Sequence, residues 1–311
     1  MRGTGTQADP FVIMTAEELY EMETLGGADV YCRLGADIDF NGTPYAQEFI
    51  PIPVNWSSLD GGGHKIRNIL VSDQLNIVNA FRVMVSGDIT INGLFLENAV
   101  LCGSIVNLFR ADTDVEAVIK LKDCSLVIKA SHMANAILSG ENCILHGEHL
   151  TVSSELSVIA VSAVFNRNYA VFNGDTISRT QIIVDILTHH EGDSAILETA
   201  LFRKSDVSES WITGSIKCDA EEDGNSYHMT DYDSCFSNFY QAVEMNGLSR
   251  IFWNNTFSSM CFYDSDLMSG AVYDSHQQLS TLFKGLTTDQ CKDPAYLTSI
   301  GFICAGENDE V

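Results

Sequence analysis

Apolar and polar positions alternate at two different periods along this chain. The first appears only once, near the start, in "TAEELYEMETLG" (15–26). Leu19, Met22 and Leu25 recur there at helical spacing, Thr15 stands where a cap belongs, and Glu18 follows three residues later as in a capping box. The pattern predicts a helix of about three turns that ends at Gly26-Gly27. The second period is two. "DVYCRLGADIDF", "KIRNILV", "DITINGLFLENAVL", "AVIKLKDCSLVIKA", "HLTVSSELSVIAVSAVF", "QIIVDIL", "ESWITGSIKC" and "RIFWNNTF" are short runs rich in Val, Ile, Leu, Thr and Phe, separated by Gly, Asn, Asp or Ser. These are strand signals with turn punctuation, and the scarcity of helical periodicity between them argues against an alternating βαβ sheet.

A looser regularity links the runs. "ITINGLFLENAV", "IKLKDCSLVIKA", "CILHGEHLTVSS" and "AVFNGDTISRTQ" each present a strand, a short polar corner and a second strand, at a spacing of roughly 25 to 30 residues. Repeats of that length without helices point to a parallel β-helix, in which each coil stacks on the last and alternate side chains fill a common interior. Asn92-Gly93, His146-Gly147 and Asn173-Gly174 sit where corners are expected, because Asn and Gly tolerate left-handed backbone angles. A β-sandwich of similar strands is the alternative. The expected fold class is therefore all-β, a right-handed parallel β-helix with a short N-terminal capping helix and a C-terminal capping segment. Its expected layout is one continuous domain: N-terminal cap and first coil over 1–71, coils over 72–284, and a closing segment over 285–311.

Composition narrows the partners. The net charge of −25 opposes binding through a phosphate backbone, which depends on Lys and Arg displacing counterions, so neither DNA nor RNA is expected as a partner. No apolar run approaches the length of a membrane span, and "MRGTGTQADPF" has no apolar core of the kind that defines a secretion signal. These features predict a protein made in the cytoplasm, with no membrane partner. The nine cysteines are scattered, odd in number and free of C-x-x-C pairs, which predicts neither a disulfide framework nor a zinc site; most lie in apolar stretches as small core residues.

"GGGHK" (61–65) raises the question of phosphate binding. A Walker loop requires G-x-x-x-x-G-K-[ST] between a strand and a helix, whereas Lys65 is followed by Ile66-Arg67 and an alternating, strand-like run. The remaining role for Gly61, Gly62 and Gly63 is a tight turn, with His64 as a hydrogen-bonded turn residue.

Three stretches around that turn, "GTGTQADPFVIMTAEELYEM", "YCRLGADIDFNG" and "FIPIPVNWSSLDGGGHKIRNILV", resemble in order and spacing the opening of right-handed β-helix domains of the GLUG-associated kind. That pattern reads G-x-G-T-x-x-D-P-[FY]-x-I-x-[TS]-x-x-[ED]-L, then a tyrosine strand ending A-D-I-D, then F-D-G-x-G-H-x-I-x-N. "GLTTDQCKDPAYLTSIGF" (285–302) is similar to the T-x-x-x-[ML]-K-D-x-x-x-Y-x-x-x-G-F segment that follows the last coil in such domains. The chain departs from the pattern at Leu59, where Phe is usual, at Gly62, which is an added glycine, and at Cys291, where Met or Leu is customary. The resemblance implies that the helix and the strand carrying Asp37 and Asp39 cap one end of the solenoid. It also implies the setting in which such domains are common: structural proteins of bacteriophages and prophages, and bacterial surface proteins.

β-Helices also house polysaccharide lyases and hydrolases, so carboxylate pairs matter. Glycosidic cleavage uses two carboxyl groups roughly 5 to 9.5 Å apart. Asp231 and Asp233 in "MTDYDSCF", and Asp264 and Asp266 in "FYDSDLM", have the i, i+2 spacing that puts both on one face of a strand, beside Tyr232 and Tyr263. With 42 acidic residues, such pairs also arise by chance. The acidic run from Cys218 to Asp233 lacks the calcium-loop pattern and reads as a solvated loop, as does His189-His190. Phe239, Tyr240, Phe252, Trp253 and Phe257 form either a contact surface or part of the core. No cofactor or metal is expected. The expected function is a non-enzymatic virion structural protein on the surface of a bacteriophage capsid or tail, self-associating as a trimer and contacting other virion proteins. A tail-spike-like receptor-binding or glycan-degrading protein, meeting a host surface glycan, is the alternative, and a bacterial adhesin the second.

Overall fold

The computed structural model describes residues 1–46, 50–131, 136–139, 143–148, 151–161, 167–173, 175–191, 197–219, 228–232, 235–237, 240–246, 250–253, 256–257, 261–267 and 283–300. They form a parallel β-helix. Strands of successive coils pair side by side in three sheets of ten, thirteen and four strands. In the ten-stranded sheet, Gly87–Asn92 pairs Ala117–Lys122, which pairs Cys143–Glu148, then Thr176–Ser178, Asp206–Ser208 and Cys235–Ser237. All of these ladders are parallel, so the sandwich alternative falls. The cross-coil hydrogen bonds Asn98–Asn68, Asp175–Ser205 and Arg179–Glu209 each join residues 30 apart, the length of one full coil there.

Alternation fills the interior. Leu59, Ile91 and Leu121 stack in register through three coils, as do Ile177, Val207 and Phe236 from the second coil beyond Leu121, and all six are buried. Phe81 stacks on Phe109 of the next coil with ring centroids 5.0 Å apart. Each large side chain so buried contributes about 1.5–3 kcal/mol, and the summed interior is what drives the coil stack together. The corners take left-handed backbone. Gly93, Asp123, Arg179 and Glu209 have φ of 63°, 52°, 49° and 48° at equivalent corner positions. The corner expected at Asn92-Gly93 is thus present. The one expected at His146-Gly147 is not, because both residues lie inside the strand Cys143–Glu148 and pair with Lys120 and Leu121.

Both ends of the described stack carry extra elements. The helix Ala16–Leu25 is capped by Thr15, whose side chain accepts from the Glu18 amide. Glu18 in turn accepts from the amide of Met14, at 2.7 Å, a variant of the expected capping box. Ala16, Leu19 and Met22 enter the core with Ile13 and Trp56, but Leu25 is 50% exposed although it continues the same stripe. The first strand, Phe11–Ile13, has Cys32–Leu34 on one edge and an antiparallel bridge from Arg2 to Val12 on the other, so that edge does not stand open. At the far end the strand Phe283–Leu286 pairs Cys261–Asp264 and leads into two short helices, Thr288–Cys291 and Pro294–Ser299.

Candidate functional site

The glycine run is a turn whose polar groups are occupied. Gly62 and Gly63 have φ of 58° and 78°, values at which a side chain is strained. Gly61 is constrained by approach instead: a Cβ there would lie 2.3 Å from the carbonyl oxygen of Gly93 in the next coil. The Gly61 amide donates to Asn92 O at 2.7 Å, the Gly62 amide to Asp60 Oδ1 at 2.9 Å, and the His64 amide closes the turn onto Gly61 O at 2.8 Å. The amides that would cradle an anion therefore already have acceptors.

Asp37 and Asp39 are fixed by neighbours one coil away. Asp37 Oδ1 accepts from the Lys65 amide at 3.2 Å and lies 3.3 Å from His64 Nδ1. The Lys65 amide first, and His64 second, hold its carboxyl below the usual range. Asp39 Oδ1 accepts from Asn68 Nδ2 at 2.8 Å and from the Asn41 amide at 2.9 Å, with Arg67 Nε 3.1 Å from Oδ2. The Asn68 bond leads in lowering its pKa. Asn68 passes the pattern on by accepting from Asn98 Nδ2 at 2.8 Å, so Asp39, Asn68 and Asn98 form a polar ladder across three coils, with φ of 60° at Asn68 and 53° at Asn98. The sequence pattern contained Asn68 but assigned it no partner. A lateral ladder becomes visible only when residues about 30 apart are stacked.

Asp264 and Asp266 meet around one residue, Thr288. The strand ends at Asp264 and turns, so the pair does not share a strand face: Asp264 is 1% exposed and Asp266 is exposed. Thr288 Oγ1 lies 2.8 and 3.0 Å from the two oxygens of Asp264 and donates its proton to that carboxylate. The Asp266 amide donates to Asp264 Oδ1 at 3.0 Å, and Asp266 Oδ2 accepts from the Thr288 amide at 2.9 Å. Thr287 and Gln290 complete a reciprocal capping box on the same short helix. The two carboxylates thus fasten the closing segment to the last coils. One turn on, Cys291 is hydrogen-bonded to Tyr240; burial first, and this bond second, push the Tyr240 hydroxyl well above its ordinary pKa. Burial likewise raises the Cys291 thiol. Thr288 carries no chemical signal of its own in the sequence, only its place in "TTDQCKD".

Those of the other expected residues that are described are distributed over several strands. Asp231 lies in the strand His228–Tyr232, where it pairs with Phe252, and Tyr232 pairs with Trp253. Asp233 and Phe239 fall outside the described residues. Phe257 pairs with Phe236, and Tyr240 with Trp211 and Phe262, which spreads the four described aromatics over three sheets. His189 and His190 lie in the strand Gln181–Glu191, paired with Ile159 and Ala160, and not in a loop; the ladder to the preceding coil, joined at His189 by one to the following coil, overrides their polarity. Within the acidic run, Cys218 and Asp219 end one strand and 228–232 form another.

Burial moves the Cys32 thiol up to about 12 and the Cys124 thiol up to about 11, the condition of an unreactive core cysteine. Among the described residues no group of three or more His, Cys, Asp or Glu is placed to hold a metal ion. Nor is any helix among them long and apolar enough to cross a membrane. A scan of protein-family models finds no match to the chain, and comparisons with curated proteins and with solved structures yield no significant similarity.

Proposed function

We propose that this chain is a non-enzymatic structural protein of a bacteriophage particle, displayed on the outside of the capsid or tail, that self-associates as a trimer and docks on other virion proteins through its flank. The observation that carries the reading is how its polar groups are used: Asp37, Asp39, Asp264 and Asp266 each hold one coil or cap to another. Side chains fill the interior, and extra elements sit at each end of the described stack. A solenoid built this way offers flanks for contact. The resemblance of residues 3–71 and 285–302 to β-helix domains of the GLUG-associated kind supplies the phage or bacterial setting. The acidic surface suits display in many copies, since it keeps particles soluble and mutually repelling.

A glycan-degrading tail spike is the competing reading, and Asp264 is the residue on which the two diverge. Its oxygens accept from the Thr288 hydroxyl and the Asp266 amide, whereas a general acid or nucleophile needs a carboxyl group open to substrate. Two measurements test the proposal. Antibody labelling of particles produced with the protein should place it on their outer surface. Purified protein incubated with host capsule or wall polysaccharide should release no new reducing ends and no unsaturated sugars; reproducible cleavage would replace this proposal by the enzyme.

A further inference from the structure

The chain contains four Asn-Gly pairs. An asparagine followed by glycine is the one most readily attacked by its own backbone, because glycine has no Cβ to shield the amide. The reaction is intramolecular. The glycine nitrogen attacks the asparagine Cγ, a new C–N bond closes a five-membered succinimide, and the side-chain nitrogen leaves as ammonia. Water then opens the ring at either carbonyl, giving aspartate or isoaspartate. Closure requires a glycine amide free of other bonds and a backbone able to rotate at the asparagine.

The fold meets these conditions unequally. Asn92 ends the strand Gly87–Asn92, paired with Asp60 of the preceding coil and Lys122 of the following one. Its carbonyl accepts from the Gly61 amide at 2.7 Å, and the Gly93 amide, which would be the nucleophile, donates to Lys122 O at 3.0 Å. Asn41-Gly42 lies instead in the turn Phe40–Thr43, closed by the Thr43 amide and hydroxyl, which donate to Phe40 O at 3.2 and 2.8 Å. The Asn41 amide donates to Asp39 Oδ1 at 2.9 Å. Among the described residues, no hydrogen bond engages the Asn41 side chain or the Gly42 amide, and a Cβ added to Gly42 would meet nothing within 4 Å. Asn41 and Asn92 are both exposed, so access to water does not separate them; the bonding of the backbone does. The glycines of the other two pairs, Gly174 and Gly247, fall outside the described residues.

We propose that Asn41 is a site of spontaneous, succinimide-mediated deamidation in the folded protein, and that the coil stack protects Asn92 from the same reaction. The modification adds a negative charge two residues from Asp39, whose carboxylate holds Asn68 and Arg67 of the neighbouring coil. The isoaspartate product also lengthens the main chain by one methylene carbon inside the turn, between the amide bound to Asp39 and the amide bound to Phe40 O. The N-terminal cap thereby acquires a slow, irreversible change of charge and backbone.

The test incubates the purified full chain at mildly alkaline pH, folded and, in parallel, unfolded in guanidinium chloride. Peptide mass spectrometry follows conversion of amide to acid at Asn41 and Asn92. In the folded chain Asn41 converts at least about tenfold faster than Asn92, which reacts only when its ladders open locally, and in the unfolded chain the two rates converge. Hydroxylamine, which cleaves a succinimide, splits the folded chain between residues 41 and 42 and leaves the bond between 92 and 93 intact. A smaller difference in the folded chain overturns the proposal. So does a difference that persists undiminished after unfolding, since its origin would then be the neighbouring residues and not the fold. Conversion at Asn41 without hydroxylamine cleavage overturns the succinimide route.

Discussion

Three glycines in a row perform two different physical tasks, and substitution separates them. At Gly63 nothing lies within 4 Å of an added Cβ, so Gly63→Ala meets only the left-handed φ of 78° and costs about 1–2 kcal/mol. At Gly61 the added Cβ would lie 2.3 Å from a backbone oxygen of the neighbouring coil, so Gly61→Ala has to move one coil relative to another. Urea melts should show a larger loss for Gly61→Ala than for Gly63→Ala; equal losses would contradict the close approach. Asp37 and Asp39 make a second prediction at this scale. Both have pKa values lowered in the folded state, so folding favours their ionised forms. Their contribution is complete above the unfolded carboxylate value of about 3.9 and disappears as pH falls through the lowered folded values. In acid titrations followed by circular dichroism, Asp37→Asn and Asp39→Asn should flatten the loss of stability over that interval, relative to the parent. An unchanged acid limb would show that neither carboxylate is linked to folding.

The closing segment is held in part by the contacts of a single residue, Thr288. Thr288 reaches Asp264 with its hydroxyl and Asp266 with its amide, and the two helices it begins are of four and six residues, too short to persist unaided. Thr288→Val keeps the shape and removes the hydroxyl, leaving the buried Asp264 carboxylate short of a donor at a cost of about 1–3 kcal/mol. The expected outcome is faster amide exchange over residues 288–299 with little change in the coils near Ile89 and Ile119. Uniform loss of protection along the whole chain would show that the segment is not an independent cap. The N-terminal helix differs from this arrangement, since Ala16, Leu19 and Met22 are part of the core itself. Its existence was legible from three apolar residues and a Thr-Glu cap, whereas Leu25 could not be placed from the sequence, because whether the last position of a stripe is covered depends on what packs against it.

Across the whole molecule, charge and stacking act in opposite directions. Forty-two acidic residues against 17 basic ones make the folded chain repel itself. The cross-coil pairs Lys65–Glu97, Arg82–Asp112, Lys120–Asp88 and Arg179–Glu209 are surface contacts, individually worth about 0–1 kcal/mol. Screening weakens both, but the excess of like charge is the larger quantity. Thermal unfolding should therefore occur at higher temperature in moderate salt than in low salt; a fall in midpoint would mean that the ion pairs dominate.

Local chemistry alone determined a good deal of this protein. Period-two alternation and repeats at intervals of roughly 25 to 30 residues are properties of the chain itself, and they favour stacked parallel coils over a sandwich of similar strands, a choice the parallel ladders then decide. The turn at Gly61–Gly63 and the cap at Thr15 were legible for the same reason, since each acts over a few neighbouring residues. What the tertiary structure decided is everything that acts between coils. Asn68 finds Asp39 and Asn98, Asp264 and Asp266 close on Thr288, His146-Gly147 joins a strand, and Trp211 is left uncovered while Phe262 is buried. A solenoid brings together residues a full coil apart, so the partner of each side chain depends on register, and register is a property of the assembled stack.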